Sequence, residues 1–238
     1  MKGVVLAAGA SGRDFPKDGK PKCLYHYKHR VLLDYAVESL MQAGVDEIRV
    51  VVGYQHWRIR EYARQRNWQL EFAVNEAWHT DAVRSLDAGL AGLDDDALIV
   101  CADLVIGPEI IQAFLRTDPR RLAWIRSIIP WGRSDERIVY DEVYRGDIDN
   151  SIVRIPRHLL GIFEGGRERA DRFLARYQWN TPIGPGTGVY FGAAITQTFY
   201  DHRPVEEVVI VRPVTDVDGY SQTDECKVAR FVRSRRAE

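Results

Sequence analysis

Two basic residues set among small ones are where chemistry is first legible in this sequence. Leu6-Ala7-Ala8-Gly9-Ala10-Ser11-Gly12-Arg13 leads from an apolar segment into a turn of small residues, and Pro21-Lys22-Cys23-Leu24 follows. Small side chains let a backbone approach a flat ligand or a phosphate chain, and the N–H groups of such a loop can donate to anionic oxygens. Arg13 adds a planar fork of donors and Lys22 a point charge, a pair that suits a triphosphate and the charge that grows during phosphoryl transfer. Two familiar phosphate loops are excluded. A dinucleotide fingerprint needs G-x-G-x-x-G opening a helix, but Ser11 stands where the second glycine would, and Pro16 and Pro21 follow. A Walker A loop needs G-x-x-x-x-G-K and then Ser or Thr, whereas around Gly19-Lys20 the outer positions are Asp14 and Pro21.

A carboxylate is the second element of chemistry. Asp103 closes the run Val100-Cys101-Ala102-Asp103, where a buried strand ends and open α/β folds bind their ligands. There it can hold Mg²⁺ against phosphate oxygens; the simpler role is a turn or cap before Gly107-Pro108. The remaining polar residues carry weaker signals. Trp57, Trp78, Trp131 and Trp179 pack in the core or rim or shape an acceptor pocket. His79 and His158 lack metal-ligand spacing and read as surface residues. The arginines between 116 and 137 read as a solvated face, with Arg126 and Arg133 as candidates to reach an acceptor phosphate. Cys23, Cys101 and Cys226 are an odd set without metal spacing, which predicts reduced cytosolic thiols.

The elements that would position these residues alternate in type. Val4 to Ala8 reads as a buried first strand, and Leu33, Ala36, Val37, Leu40 and Met41 line one face of a helix that Gly44 ends. Ile48 to Val52 is a second strand, Gln55 to Arg66 a surface helix and Leu70 to Val74 a third strand. A helix carrying Ala82, Val83, Leu86, Leu90 and Leu93 precedes a fourth strand at Ala97 to Cys101. This alternation predicts a parallel sheet with crossover helices. The second half is less regular. Leu122 to Ile129, Arg137 to Tyr144 and Ile148 to Ile155 read as strands of an antiparallel or mixed extension, with a dimer arm offered near 137 to 155. His158 to Tyr177 reads as one or two helices, 180 to 188 as a loop, Gly188 to Ile195 and Val208 to Val211 as late core strands. Asp224 to Arg235 reads as a terminal helix with Val228, Phe231 and Val232 inward.

Composition narrows the function classes. The 238 residues are 45% hydrophobic and 28% charged, globular values that exclude disordered and fibrous classes. Lys and Arg number 33 against 34 Asp and Glu, a net charge of −1, which argues against broad binding to nucleic acid or an anionic membrane. With no apolar run long enough to span a bilayer, no signal-peptide pattern, no repeat and no linker, the expectation is a soluble, cytoplasmic, single domain over residues 1–238.

Residues 3 to 24, from Gly3-Val4-Val5-Leu6-Ala7-Ala8-Gly9 through Arg13 to Pro21-Lys22-Cys23-Leu24, resemble the signature loop of the nucleotidyltransferases that activate phosphorylated small molecules with an NTP. The resemblance implies an α/β, three-layer, Rossmann-like domain, with residues 1–105 binding nucleotide and 106–238 binding acceptor. Its central sheet would be mostly parallel with a small antiparallel extension. It also implies nucleotide contacts from Leu6, Ala7, Ala8, Gly9, Ala10, Ser11 and Gly12, catalytic roles for Arg13 and Lys22, and Mg²⁺ on Asp103. A second metal carboxylate is implied late in the chain, where Val214-Thr215-Asp216-Val217-Asp218 offers Asp218, with Asp216 as the alternative. The stretch Asn75 to Leu90 is similar to the cytidylyltransferase segment in which a helix-start Ser reaches the base, which marks Asn75 and Ser85; a solvent-facing helix residue is the alternative for Ser85.

The implied function is a cytidylyltransferase joining CTP to a small phosphate or phosphonate acceptor with release of pyrophosphate, with a homodimer among the options. The same loop admits a sugar-1-phosphate uridylyl- or thymidylyltransferase, or a molybdenum cofactor guanylyltransferase. The last generally has Gly-Gly where this chain has Ala8-Gly9. Outside the class stand a glycosyltransferase of similar fold, disfavoured by the Arg13 and Lys22 pair, and a non-catalytic nucleotide-binding module.

Overall fold

A computed structural model describes residues 1–10, 19–27, 29–80, 83–103, 106–128, 152–163, 168, 171, 205–211 and 230–231. Its first half is a run of strand–helix crossovers. β1 (Lys2–Ala7) is followed by a small hairpin of β2 (His26–Tyr27) and β3 (Arg30–Val31), then α1 (Leu32–Gln42), β4 (Ile48–Val52), α2 (His56–Gln65), β5 (Glu71–Val74), α3 (Val83–Leu90) and β6 (Ala97–Cys101). α4 (Pro108–Leu115), β7 (Leu122–Ile128), β8 (Val153–Ile155), a short 3₁₀ segment (Arg157–Phe163), β9 (Val205–Val211) and β10 (Arg230–Phe231) complete the described chain.

The strands other than β2 and β3 form one sheet in the order β10-β9-β7-β8-β6-β1-β4-β5. β1 runs parallel to both β4 and β6, and β4 parallel to β5. The chain therefore winds outward on one side of β1 and returns on the other, which makes the C-terminal end of β1 a topological switch point, where such sheets bind ligands. The continuous apolar runs explain the parallel block: Val4, Val5, Val50, Val51, Val52 and Ala97 through Val100 are all 0% exposed, as strands covered on both faces must be.

Alternation along β1 sets the layers. Gly3 faces Leu40 of α1, and Val4 faces Gly89 of α3, so the two helices cover opposite faces. Gly44, at φ +85°, ends the turn after α1 in the left-handed region that the sequence marked as a stop. Buried Asp34 in the first turn of α1 accepts from the Val31 N–H at 3.2 Å and from the Tyr62 hydroxyl of α2 at 2.8 Å, joining the two helices on that face. Arg49 of β4 donates to the carbonyls of Gly89 in the last turn of α3 and Ala91 just after it, and pairs with Glu71 of β5.

Several expectations are corrected beyond residue 105. The helix α4 was not anticipated; Pro108 opens it at the first turn, and Ile110, Ile111 and Phe114 are buried. The strand expected over Ile148 to Ile155 is present at Val153–Ile155, and it is no exposed arm. β8 lies between β6 and β7, antiparallel to both, with all three residues buried. Its interior place follows from Arg154, whose guanidinium reaches the carbonyl and hydroxyl of Thr117 at 2.9 and 3.0 Å and Asp96 at 3.0 Å. The terminal helix expected over Asp224 to Arg235 is contradicted at Arg230–Phe231, which pair antiparallel with Val211 and Ile210; the open edge of β9 supplies a hydrogen-bonding partner that helical spacing does not register. The strands expected at 137–144 and 188–195 and the loop at 180–188 lie outside the described residues, as does most of 164–177.

Candidate active site

The C-terminal ends of β1, β4, β5 and β6 converge on the loop that follows β1. Leu6 accepts from the Ala102 N–H at 3.0 Å, and Ala8 accepts from the Tyr54 N–H at 3.0 Å, so the chain leaving β1 is held from both neighbouring strands. Ala7 and Ala8 are 4% and 3% exposed, and Gly9 is exposed at the mouth of the loop. The loop closes on itself where Ala10 and Pro21 form an antiparallel bridge and the Lys22 N–H donates to the Gly9 carbonyl at 3.3 Å. Small residues are required here for space. A Cβ on Gly53 would stand 2.9 Å from the Ala8 carbonyl oxygen and 2.4 Å from Trp78 Cβ, contacts no side chain tolerates.

This closure delivers Lys22 to Asp103. The ammonium lies 2.5 Å from Asp103 Oδ2, with the side chains 30% and 15% exposed. Two residues 81 positions apart, marked in the sequence for separate reasons, thus meet at the sheet edge. Cys23, beside them, is 2% exposed; burial pushes its thiol up to about 12, and the Asp103 charge adds to the rise, which favours the protonated thiol.

Asn75 and Ser85 also come together. Asn75 follows β5 with its N–H on the Val52 carbonyl at 2.8 Å, and its amide donates to Ser85 Oγ in the first turn of α3 at 3.0 Å. They are 4% and 6% exposed, so Ser85 does not face bulk solvent. Ser11, Gly12, Arg13, Asp216 and Asp218 lie outside the described residues, as do Trp131, Trp179 and Arg133 and the side chain of Arg126. Trp57 is 63% exposed on α2 and shapes no enclosed pocket in the described structure. His79 packs against the Trp78 ring at a steep angle, with centroids 5.6 Å apart, and His158 lies with Asp94 and Asp96 at the opposite end of β6.

Sequence reasoning missed Tyr54. Its hydroxyl donates to the Gly19 carbonyl at 3.2 Å and accepts from the Gln55 amide at 3.0 Å, and its ring sits 5.0 Å from that of Trp78. With its backbone on Ala8, Tyr54 grips both limbs of the loop. Gly19 itself takes φ +72°, which only glycine adopts readily. The available signal was an aromatic directly after the second core strand and its Gly53, at the switch point.

A divalent cation fits this donor set in part. Asp103 presents one partly buried carboxylate already facing a cation, and a hard ion of the Mg²⁺ type is commonly held by one or two carboxylates together with substrate phosphates. Among the described residues no group of three or more His, Cys, Asp or Glu could hold a metal alone.

A strand-end carboxylate, a lysine delivered to it by a small-residue loop and a mostly parallel sheet with helices on both faces make a site of the kind a nucleotidyltransferase needs. Residues 3–135 match the MobA-like NTP transferase domain, and the chain belongs to that family. It is 31% identical over 123 residues to the CTP:phosphoglutamine cytidylyltransferase of Campylobacter jejuni, covering 48% of each chain. It is 29% identical over 183 residues to the CMP-5'-(3-aminopropyl)phosphonate synthase of Streptomyces rubellomurinus, covering 74% of this chain and 28% of that one. The chain thus spans about half the length of the first relative and under a third of the second. The inositol-1-phosphate CTP transferase of T. maritima shares the fold, with a TM-score of 0.59 at 17% identity over 88% of this chain and 84% of that structure.

Proposed function

We propose that the chain is a cytidylyltransferase. A phosphate or phosphonate oxygen of a small acceptor attacks the α-phosphorus of CTP, a P–O bond forms, and the bond to the bridging oxygen breaks to release pyrophosphate. No protein nucleophile is needed, because the acceptor anion is nucleophilic already; the protein supplies alignment and charge stabilisation. The carrying observation is the meeting of Lys22 and Asp103 at the switch point beside Ala8 and Gly9.

In this reading Leu6 to Gly12 cradle the nucleotide, and Arg13 and Lys22 stabilise the charge on the α-phosphorus and the departing pyrophosphate. The buried pair of Asn75 and Ser85 reads the base. Asp103, with Asp218 or else Asp216, would hold Mg²⁺, which when bound would supply Lewis-acid neutralisation of phosphate charge. CTP is favoured because the two relatives named above are a CTP-dependent cytidylyltransferase and a synthase of a CMP-linked phosphonate, and because of the Ser85 segment. The acceptor lies with residues 106–238 of one domain. The setting is the cytoplasm, without nucleic acid or membrane as partner; among the described residues no helix is long and apolar enough to cross a membrane. A homodimer stays open, though not through β8.

The test is pyrophosphate release by the Lys22→Ala variant. Removing one pre-organised charge is expected to lower turnover by ~10²-fold or more. Turnover within a few-fold of the parent would remove Lys22 from the chemistry.

A further inference from the structure

We infer that Lys22 is the built-in counter-cation of Asp103, and that a divalent ion gains this carboxylate only together with phosphate oxygens that draw the Lys22 ammonium away. The inference rests on the reading above only for the place where the ion binds. Its basis is the contact of 2.5 Å between Nζ and Oδ2 and the way both ends of that contact are fixed. The backbone of Lys22 is tied to Gly9 beside the Ala10–Pro21 bridge, and Asp103 directly follows Ala102, whose N–H is tied to Leu6. Each tie runs to the β1 limb, so the fold itself sets lysine against carboxylate; this is no chance meeting of two long surface side chains.

The chemistry of one carboxylate then decides the order of events. An ammonium in contact with Oδ2 occupies the approach that a hard cation needs, and two cations on one partly buried oxygen repel strongly. The described residues add no cluster of acids or imidazoles able to outbid Lys22 for the ion. A triphosphate changes the balance from the other side: its oxygens offer Lys22 several negative charges in place of one, and they bring ligands of their own to the ion. Lys22 therefore has two successive partners, Asp103 before the nucleotide and phosphate after it, and its departure frees the carboxylate at the moment the phosphates arrive. Until the phosphates arrive, the Lys22 ammonium covers the Asp103 oxygen and disfavours stray divalent ions there.

The experiment is a titration with Mn²⁺ in the absence of nucleotide, reading free Mn²⁺ by its electron paramagnetic resonance signal. The parent and Lys22→Arg, which keeps the positive charge, are expected to bind weakly. Lys22→Met, which keeps an apolar stem and loses the charge, is expected to bind about tenfold more tightly, within the usual range of coupling between two sites. Adding Asp103→Asn to Lys22→Met is expected to abolish the gain. Lys22→Gln replaces Lys22→Met if the latter melts early. A neutral variant that binds Mn²⁺ no better than the parent overturns the inference, and so does a gain that survives Asp103→Asn. Because no nucleotide is present, the inference can fail while cytidylyl transfer stands, and can stand if another nucleotide proves to be the substrate.

Discussion

Lys22 and Asp103 were legible because each carried its own physical reason. Lys22 follows a small-residue loop that no other phosphate motif explains, and Asp103 stands two residues past β6, a strand whose five residues are all buried. What the sequence withheld was their mutual distance, which depends on the Ala10–Pro21 closure. Tyr54 was invisible for a related reason: its value lies in two hydrogen bonds to residues far behind it in the chain, at Ala8 and Gly19. That gives a test at the same scale. Tyr54→Phe keeps the ring against Trp78 and the backbone bond to Ala8 but releases both Gly19 and the Gln55 amide. Of the two neutral hydrogen bonds lost, the one to Gly19 orders the loop, and its loss at about 1 kcal/mol should raise KM for the nucleotide about fivefold. Steady-state kinetics should show kcat and the acceptor KM nearly unchanged, because the bond orders the loop and touches no reacting atom.

Among the elements, the crossovers of the first half were readable because apolar spacing and burial agree in them. α1 buries Leu33, Ala36, Val37 and Leu40, four of the five positions its periodicity selects, with Met41 partly buried against the core. α4 escaped notice because Ile110, Ile111 and Phe114 make a short apolar group without a full helical repeat, and only Pro108 marks its start. β8 is harder still: a strand with arginine at its centre reads as half-exposed, yet Arg154 is 4% exposed and spends its charge on Asp96 and on carbonyls after α4. Replacing it with leucine strands those acceptors. Arg154→Leu is expected to lower unfolding stability in urea by about 3 kcal/mol, near the lower end for breaking a buried pair because Asp96 keeps some access to water. Gly53 is the second element-scale test. Gly53→Ala forces Trp78 and the Ala8 carbonyl apart, with an expected loss of about 2 kcal/mol for overpacking, read from the same urea transitions.

At the scale of the whole molecule, the strand order carries most of the functional inference. β1 lies between β4 and β6, and every candidate site residue the structure describes lies at or just past the C-terminal ends of β1, β4, β5 and β6, on the loop between β1 and β2, or in the first turn of α3. Local periodicity gave the crossovers, and the handedness of such crossovers places their helices on both faces, so this half of the architecture follows from the sequence. The other half does not, since β7 pairs in parallel with β9 across about 80 residues of chain and takes β8 between itself and β6, pairings that no local pattern encodes. The acceptor contacts proposed above fall in that half, where local spacing gives least guidance.

The measurement that bears most directly on the central claim is pyrophosphate release with Mg²⁺, with CTP, UTP, dTTP, GTP and ATP each offered against choline phosphate, 2-aminoethylphosphonate, 2-hydroxyethylphosphonate, glycerol phosphate and glucose-1-phosphate. Release with CTP and a non-sugar phosphate or phosphonate, abolished by EDTA, is the expected result. Release confined to UTP or dTTP with glucose-1-phosphate would contradict the cytidylyltransferase assignment and make the chain a sugar-nucleotide enzyme of the same fold.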